Sequence, residues 1–485
     1  MKILVLQLAR LGDIYLSWPA LNALKRNNPQ AEIVLLTRAK FAAAAKGLTA
    51  VSEVIEMPTK DILAPLIQDT MDIPESHRQL SAFVESLRAR NFDRVINLSF
   101  SPASAYLTHL LQPDSSKVCG YSRTEDGFLA IPDDMSAYFY AQVGPGKPNR
   151  FHLAEIFGTL CGVDLVESDW KVSTLPNVSI PVSGPYVALH IGASEAQKSI
   201  SPEKWISILS HFRTLNSTPV VLIGSAFETP TAEKILSATP TGQVISLVGA
   251  TTLSETMAVV QKAALLVGPD SAPMHMASLT GTRCLNLSLG RVNFWETGPR
   301  ASGSWIVRAS KEVDLASDRI SRAMAAMLEK LRPEIGIIQV QQGTPSYSGL
   351  FPKEAEFHWK LTQAIYQGTP FPEPVSNTFW EAHTQLCEIN AFLIEQLTAL
   401  ENGASLEQKA AFIDRGEEVI EAIAKLVPSW GPAIRWYQTE KVRIGPGEPA
   451  HVLKRTLEIQ KLFQQVLDLY SDLKEVPASA EREAP

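Results

Sequence analysis

The sequence predicts an α/β protein: two doubly wound parallel sheets facing a cleft, followed by an α-helical region. Three observations predict this. Two series of short apolar runs alternate with helical segments, a Pro- and Ser-rich stretch separates the series, and apolar residues switch to three- and four-residue spacing after about residue 336.

The first series opens with the apolar run ILVLQL (3 to 8), the loop ARLGD, a helical segment to about Asn28 and the run EIVLLT (32 to 37). Strand, loop, helix and strand with short links form a parallel βαβ unit. Pro19 interrupts the helical segment and predicts a kink or a true start there, because proline has no N–H to donate. VSEVIEM (51 to 57), the helix SAFVESLRARN (81 to 91) and the strand RVINLSF (94 to 100) continue the alternation, giving a first domain over residues 1–170.

Between 169 and 185 the chain has no helical periodicity and reads as a linker. The second series spans residues 185–332. Its strands are YVALHI (186 to 191), PVVLIG (219 to 224), VISLVG (244 to 249), ALLVGPD (264 to 270) and RCLNLSL (283 to 289), with helices at 202 to 215, 231 to 238, 253 to 263 and 274 to 281. Continuous apolar strands of this kind belong to a parallel sheet covered on both faces. From 336 to 475, Leu386, Ile389, Leu393, Leu397 and Leu400, and then Val452, Ile459, Leu462, Val466 and Leu469, mark apolar stripes of a helical bundle or docking module. Residues 476–485 read as a disordered tail.

Bulk properties narrow the function. A net charge of −7 opposes a general nucleic-acid binder, which needs a basic surface. The start lacks the long apolar core of a signal peptide, and no run approaches about 18 apolar residues, so a cytoplasmic protein with at most peripheral membrane contact is expected. Cys119, Cys161, Cys284 and Cys387 form no C-x-x-C pair, the histidines have no ligand spacing and no D-x-D occurs, so neither metal nor cofactor is expected.

Three loops at strand ends carry chemistry, since ligands of open α/β sheets bind outside the carboxyl ends of the strands. In the first, Gly12 allows close backbone approach or a positive φ, and Asp13 lies near a helix N-terminus. Asp13 reads either as a helix cap or as a base for a hydroxyl proton. In the second, 190 to 198, small residues precede Lys198, which reads as a solvated surface group or a point charge on phosphate. In the third, Asp270, Ser271 and Ala272 open a helix, with His275 one turn in; Asp270 and Ser271 can cap that helix, or its N-terminus can hold a diphosphate.

Taken together and in order, RLGDIYLSWPALNALKRNNPQAEIVLLT, VALHIGASEAQKSISPEKW, VVLIGSAFE, LVGATTLSETMAVVQKAALLVGPDSAPMHMASLTGTRCLNL and ETGP (296 to 299) resemble glycosyltransferase family 9, the ADP-heptose:lipopolysaccharide heptosyltransferases, over about residues 1–330. The resemblance implies a GT-B fold of two Rossmann-like domains, the first acceptor-side and the second donor-binding. It also implies inverting, metal-independent transfer of a heptose or related sugar from a nucleotide diphosphate, ADP-heptose by that resemblance, to a lipopolysaccharide-type saccharide, at the inner face of the plasma membrane. It makes Asp13 the general base. Gly12, Lys198, Asp270, Ser271, Ala272 and His275 become the donor site around the diphosphate, and Glu228 the group on the donor ribose.

Three departures leave the donor open. Ile191 replaces proline in His-Pro-Gly, Ala272 replaces glycine in Asp-Ser/Thr-Gly, and Ser199 and Ile200 follow Lys198 in place of basic or aromatic residues. A protein acceptor, a nucleotide-sugar 2-epimerase and an inactive binding relative are the alternatives. Residues 336–475 lie outside the resemblance and leave acceptor binding, homo-oligomerisation and partner docking open. Trp359, Trp380, Trp430 and Trp436 there fit a sugar or lipid groove, or core.

Overall fold

The computed structural model describes residues 1–193, 195–334, 338–341, 344–347, 352–374 and 376–475; the expected tail lies outside them. The chain divides into two compact units, Met1–Ser99 with Phe151–Leu350 and Phe100–Arg150 with Phe351–Pro485.

In the first unit, β1 (Lys2–Gln7), β2 (Glu32–Arg38), β3 (Glu53–Met57) and β4 (Arg94–Asn97) are parallel, in the order β3-β2-β1-β4. Ile3, Leu4, Val5 and Leu6 are all fully buried, as expected of a strand covered on both faces. Helix α1 (Leu11–Asn27) starts two residues before Asp13, so the first loop is shorter than expected and Pro19 is interior, neither the start nor a break. Its ring deprives the Tyr15 carbonyl of a helical partner, and burial of most of the helix from Ile14 to Leu24 holds the segment in place.

The second sheet has six parallel strands: β5 (Val187–His190), β6 (Val220–Ile223), β7 (Val244–Ser246), β8 (Leu265–Pro269), β9 (Cys284–Leu289) and β10 (Trp305–Ala309), ordered β7-β6-β5-β8-β9-β10. An antiparallel pair, β11 (Ile338–Gln341) and β12 (Thr344–Tyr347), extends the β10 edge. Pro202–Leu215 is α2, and Ala272–Thr280 is α3. Residues 171 to 186, where a linker is expected, hold neither helix nor strand. Strand order reverses at β1/β4 and at β5/β8, and β1, β5 and β8 feed the three chemistry-bearing loops. All three therefore start where open sheets leave a crevice.

The second unit departs from the linear division at residue 170, because residues 100–150 pack with the helical region. The helix Asp134–Gln142 lies against α6 (Gly431–Ile444), where Gln142 Nε2 donates to the Pro432 carbonyl at 2.9 Å and Arg435 Nε to the Ala141 carbonyl at 3.0 Å. Helices α4 (Asn377–Glu401), α5 (Leu406–Leu426) and α7 (Pro449–Glu475) complete the bundle. Leu386, Leu393 and Leu397 are buried as their spacing predicts. On α7 the stripe is displaced: Leu462 and Leu469 are 45% and 44% exposed, while Ile459, Phe463, Val466, Leu467 and Tyr470 face the core. Two overlapping apolar faces share that helix, and residue spacing alone does not rank them. Trp430 is core, stacked 4.5 Å from Phe379, and Trp380 and Trp436 pack against the same cluster.

No helix among the described residues is long and apolar enough to cross a membrane, and no disulfide joins cysteines among them.

Candidate active site

Arg10 is the residue before α1, and its backbone N–H donates to Asp13 Oδ2 at 2.9 Å. Asp13 is thus the third helical residue reaching back, and not the cap itself. That local bond explains an acid here without reference to function. It does not explain the surroundings. Loss of solvation raises the Asp13 pKa from its ordinary value, outweighing the Arg10 N–H bond and the nearby His275, Arg10 and Lys198.

His275 comes from α3, in the other half of the same unit, and reaches the first loop. A Cβ on Gly12 would lie 2.9 Å from His275 Cδ2 and 3.1 Å from Nε2. Gly12 has no positive φ, so glycine is required here for closeness and not for backbone conformation. His275 is buried with Nδ1 unpartnered; burial lowers its pKa, against the pull of Asp270 and Asp13, and favours neutral imidazole. A second link joins the first loop to the second, where the Arg10 guanidinium bonds Glu195. Arg10, with Gln197, holds the Glu195 carboxyl below its ordinary range.

Lys198 Nζ lies 3.3 Å from Asp270 Oδ2 and 4.0 Å from Glu195 Oε1. Asp270 Oδ1 accepts a bond from Thr297 Oγ1 at 3.1 Å. Asp270 therefore holds the lysine and does not cap α3. Ser271 precedes α3, yet its hydroxyl donates to the Pro269 carbonyl at 3.1 Å, so it does not cap either. Of the two alternatives, capping is not made, and among the described residues no side chain caps the N-terminus of α3.

Glu228 sits over the ends of β5 and β6. Its Oε2 accepts from Ser225 N at 2.7 Å and Ser225 Oγ at 2.6 Å, closing a one-turn helix. Its Oε1 faces Gly192, where a Cβ would lie 2.8 Å away. The glutamate is half-buried, not a free surface group.

With this geometry the comparisons can be read. Residues 160–312 match the model of glycosyltransferase family 9 (heptosyltransferase). The chain is a glycosyltransferase, similar to family 9 over those residues. Lipopolysaccharide heptosyltransferase 3 of Escherichia coli (strain K12) is 23% identical to this chain over 297 residues, 57% of the chain and 79% of the relative. Its fold is GT-B. It is shared with the E. coli heptosyltransferase WaaC with ADP, at TM-score 0.52, 18% identity and coverage of 67% of this chain and all (100%) of that one. A family 9 glycosyl transferase from Veillonella parvula DSM 2008 superposes at TM-score 0.51, with 16% identity over 68% of this chain and 97% of that one.

The departures from the family pattern have a structural account. Ile191 is buried in the core of the second sheet, so an apolar side chain fills the proline position. Ala272 is not among the non-glycine residues with positive φ, so its methyl group costs no backbone strain. Ile200 is buried in that same core, and Ser199 Oγ donates to the Glu195 carbonyl at 3.2 Å. Residue spacing missed three participants. Thr297 lies inside the ETGP run, whose presence pointed to it without a role, and the Arg10 and Glu195 pair joins loops 185 residues apart.

The Gly12 contact makes a prediction. Gly12→Ala forces His275 to shift, which costs about 1–3 kcal/mol of overpacking. A lower melting temperature with turnover reduced more than ADP affinity is the expected result; a variant matching wild type in all three would show that the loops do not meet.

Proposed function

We propose that this glycosyltransferase transfers heptose with inversion, without a metal ion, from ADP-heptose to a hydroxyl of a lipopolysaccharide-type saccharide, in the cytoplasm at the inner membrane face. The observation that carries the reading is the meeting of the Asp13 loop with the His275, Lys198 and Asp270 loops within one unit. An inverting displacement needs a base and a leaving-group partner on opposite sides of one carbon. The acceptor oxygen bonds to the anomeric carbon as its proton passes to Asp13. The bond from that carbon to the diphosphate breaks, and the electron pair leaves on ADP. Lys198 and the uncapped N-terminus of α3 offset that charge. Glu228 Oε1 accepts from a ribose hydroxyl, while Oε2 stays committed to Ser225. Lipopolysaccharide heptosyltransferase 3 and the ADP complex of WaaC support this donor and acceptor class.

The test is release of ADP from ADP-heptose with and without a delipidated lipopolysaccharide core oligosaccharide. Acceptor-dependent release with a heptosylated product is expected. Release without acceptor, or isomerisation of the sugar at C2, would overturn transfer in favour of hydrolysis or epimerisation.

A further inference from the structure

The second unit contains an open depression of about 810 Å³ that the transfer reaction does not use. One wall is aromatic. The Phe100 and Phe139 rings are stacked at 3.6 Å and 9°, Tyr121 stands edge-on to both, and Tyr140 lies 6.0 Å from Tyr121. Phe100 has φ +49°, a conformation a bulky residue adopts only where its surroundings impose it. The other wall is polar and comes from α5 and α6, with Arg435, Gln438 and Lys441 beside Glu417 and Glu421. Arg435 is held by the Ala141 carbonyl, and Glu417 by Lys441 and the Tyr437 hydroxyl. The Gln438 amide, with two donors and an acceptor, makes no hydrogen bond among the described residues.

Aromatic faces opposite rigid, planar hydrogen-bonding groups suit a ligand that is apolar on one face and hydroxyl-rich at its edges. A pyranose ring has that character: its axial C–H bonds pack on the negative face of an aromatic ring, and its vicinal hydroxyls pair with amide and carboxylate groups. A lipid chain would leave the Gln438 amide unpaired, and a nucleic acid would meet two carboxylates. The volume falls in the range of ordinary small-ligand sites.

We propose that this depression is a saccharide-binding groove, separate from the donor site, that holds one or two sugar rings between Tyr140 and Gln438. Only the choice of probe rests on the proposed function. Full-length protein would be titrated with the delipidated lipopolysaccharide core oligosaccharide by calorimetry and saturation-transfer NMR, alongside Tyr140→Ala and Gln438→Ala. Tyr140 is 40% exposed, so its truncation spares the core, and ADP affinity serves as the folding control. A tenfold or greater weakening in each variant, with ADP binding unchanged, is the expected result, together with saturation of ring C–H protons by the aromatic side chains. Wild-type protein that does not bind the oligosaccharide, or variants that bind it as wild type does, would overturn the groove. ADP release tells the two readings apart: loss of oligosaccharide affinity with heptosyl transfer to a minimal acceptor intact overturns neither, and confines the groove to recognition of the larger glycan.

Discussion

Asp13→Asn is expected to lower turnover by about 10²- to 10⁴-fold while leaving ADP affinity unchanged. The substitution keeps an oxygen to accept the Arg10 N–H and removes only the capacity to take a proton. Two further readouts separate a base from a helix-capping acid. First, turnover of wild type should fall on the acidic side with a midpoint above the ordinary aspartate range, since loss of solvation raises the Asp13 pKa. That limb should vanish in the variant. Second, stability should respond with the opposite sign from a paired carboxylate. With the folded pKa above the unfolded one, the native state binds more protons in the window between them, so stability falls as pH rises from the ordinary value to the raised one. Above that window, ionised Asp13 is a constant cost, and the neutral asparagine variant should melt at the same temperature as wild type or higher. Wild-type turnover in the variant, or lost ADP binding with a lower melting temperature, would reduce Asp13 to a helix-start residue.

That combination, a local role satisfied by one backbone bond and an environment hostile to charge, explains what the sequence could and could not disclose. Apolar runs such as residues 3 to 6 and 265 to 267 are strands because every residue is buried, and that pattern is visible without neighbours. The placement of Gly12, Lys198 and Asp270 at strand ends follows from the same alternation. Their convergence does not follow from it. His275 against Gly12 and Arg10 against Glu195 are contacts between two sheets, and no periodicity encodes which loops meet. The choice between a capped and an open helix end at the third loop was not legible for a related reason. Asp270 and Ser271 have the residue types that cap, yet Lys198 and Thr297 engage the carboxylate, and the Pro269 carbonyl takes the hydroxyl. The grouping of residues 100–150 with the helical region was not legible because it rests on contacts such as Gln142 with Pro432, 290 residues apart.

Lys198→Ala should lose about 10²- to 10³-fold in turnover, as expected when a group facing the leaving charge is removed, and weaken ADP binding about tenfold. It should also be less stable, because Asp270, with its side chain 7% exposed, loses its cation and keeps only Thr297 as partner. Breaking a fully buried ion pair costs about 3–5 kcal/mol. Lys198 retains 17% exposure, so about 2–3 kcal/mol is expected here, with solvent reducing both the pair's strength and the cost of its loss. A loss of activity alone would therefore be ambiguous between a missing charge and a distorted loop. Asp270→Asn in the Lys198→Ala background resolves it. Neutralising the stranded carboxylate should restore most of the melting temperature, yet turnover should stay low, because no cation has returned to the leaving group. If the double variant recovers both, Lys198 serves only to neutralise Asp270, and the departing diphosphate must be stabilised by other groups.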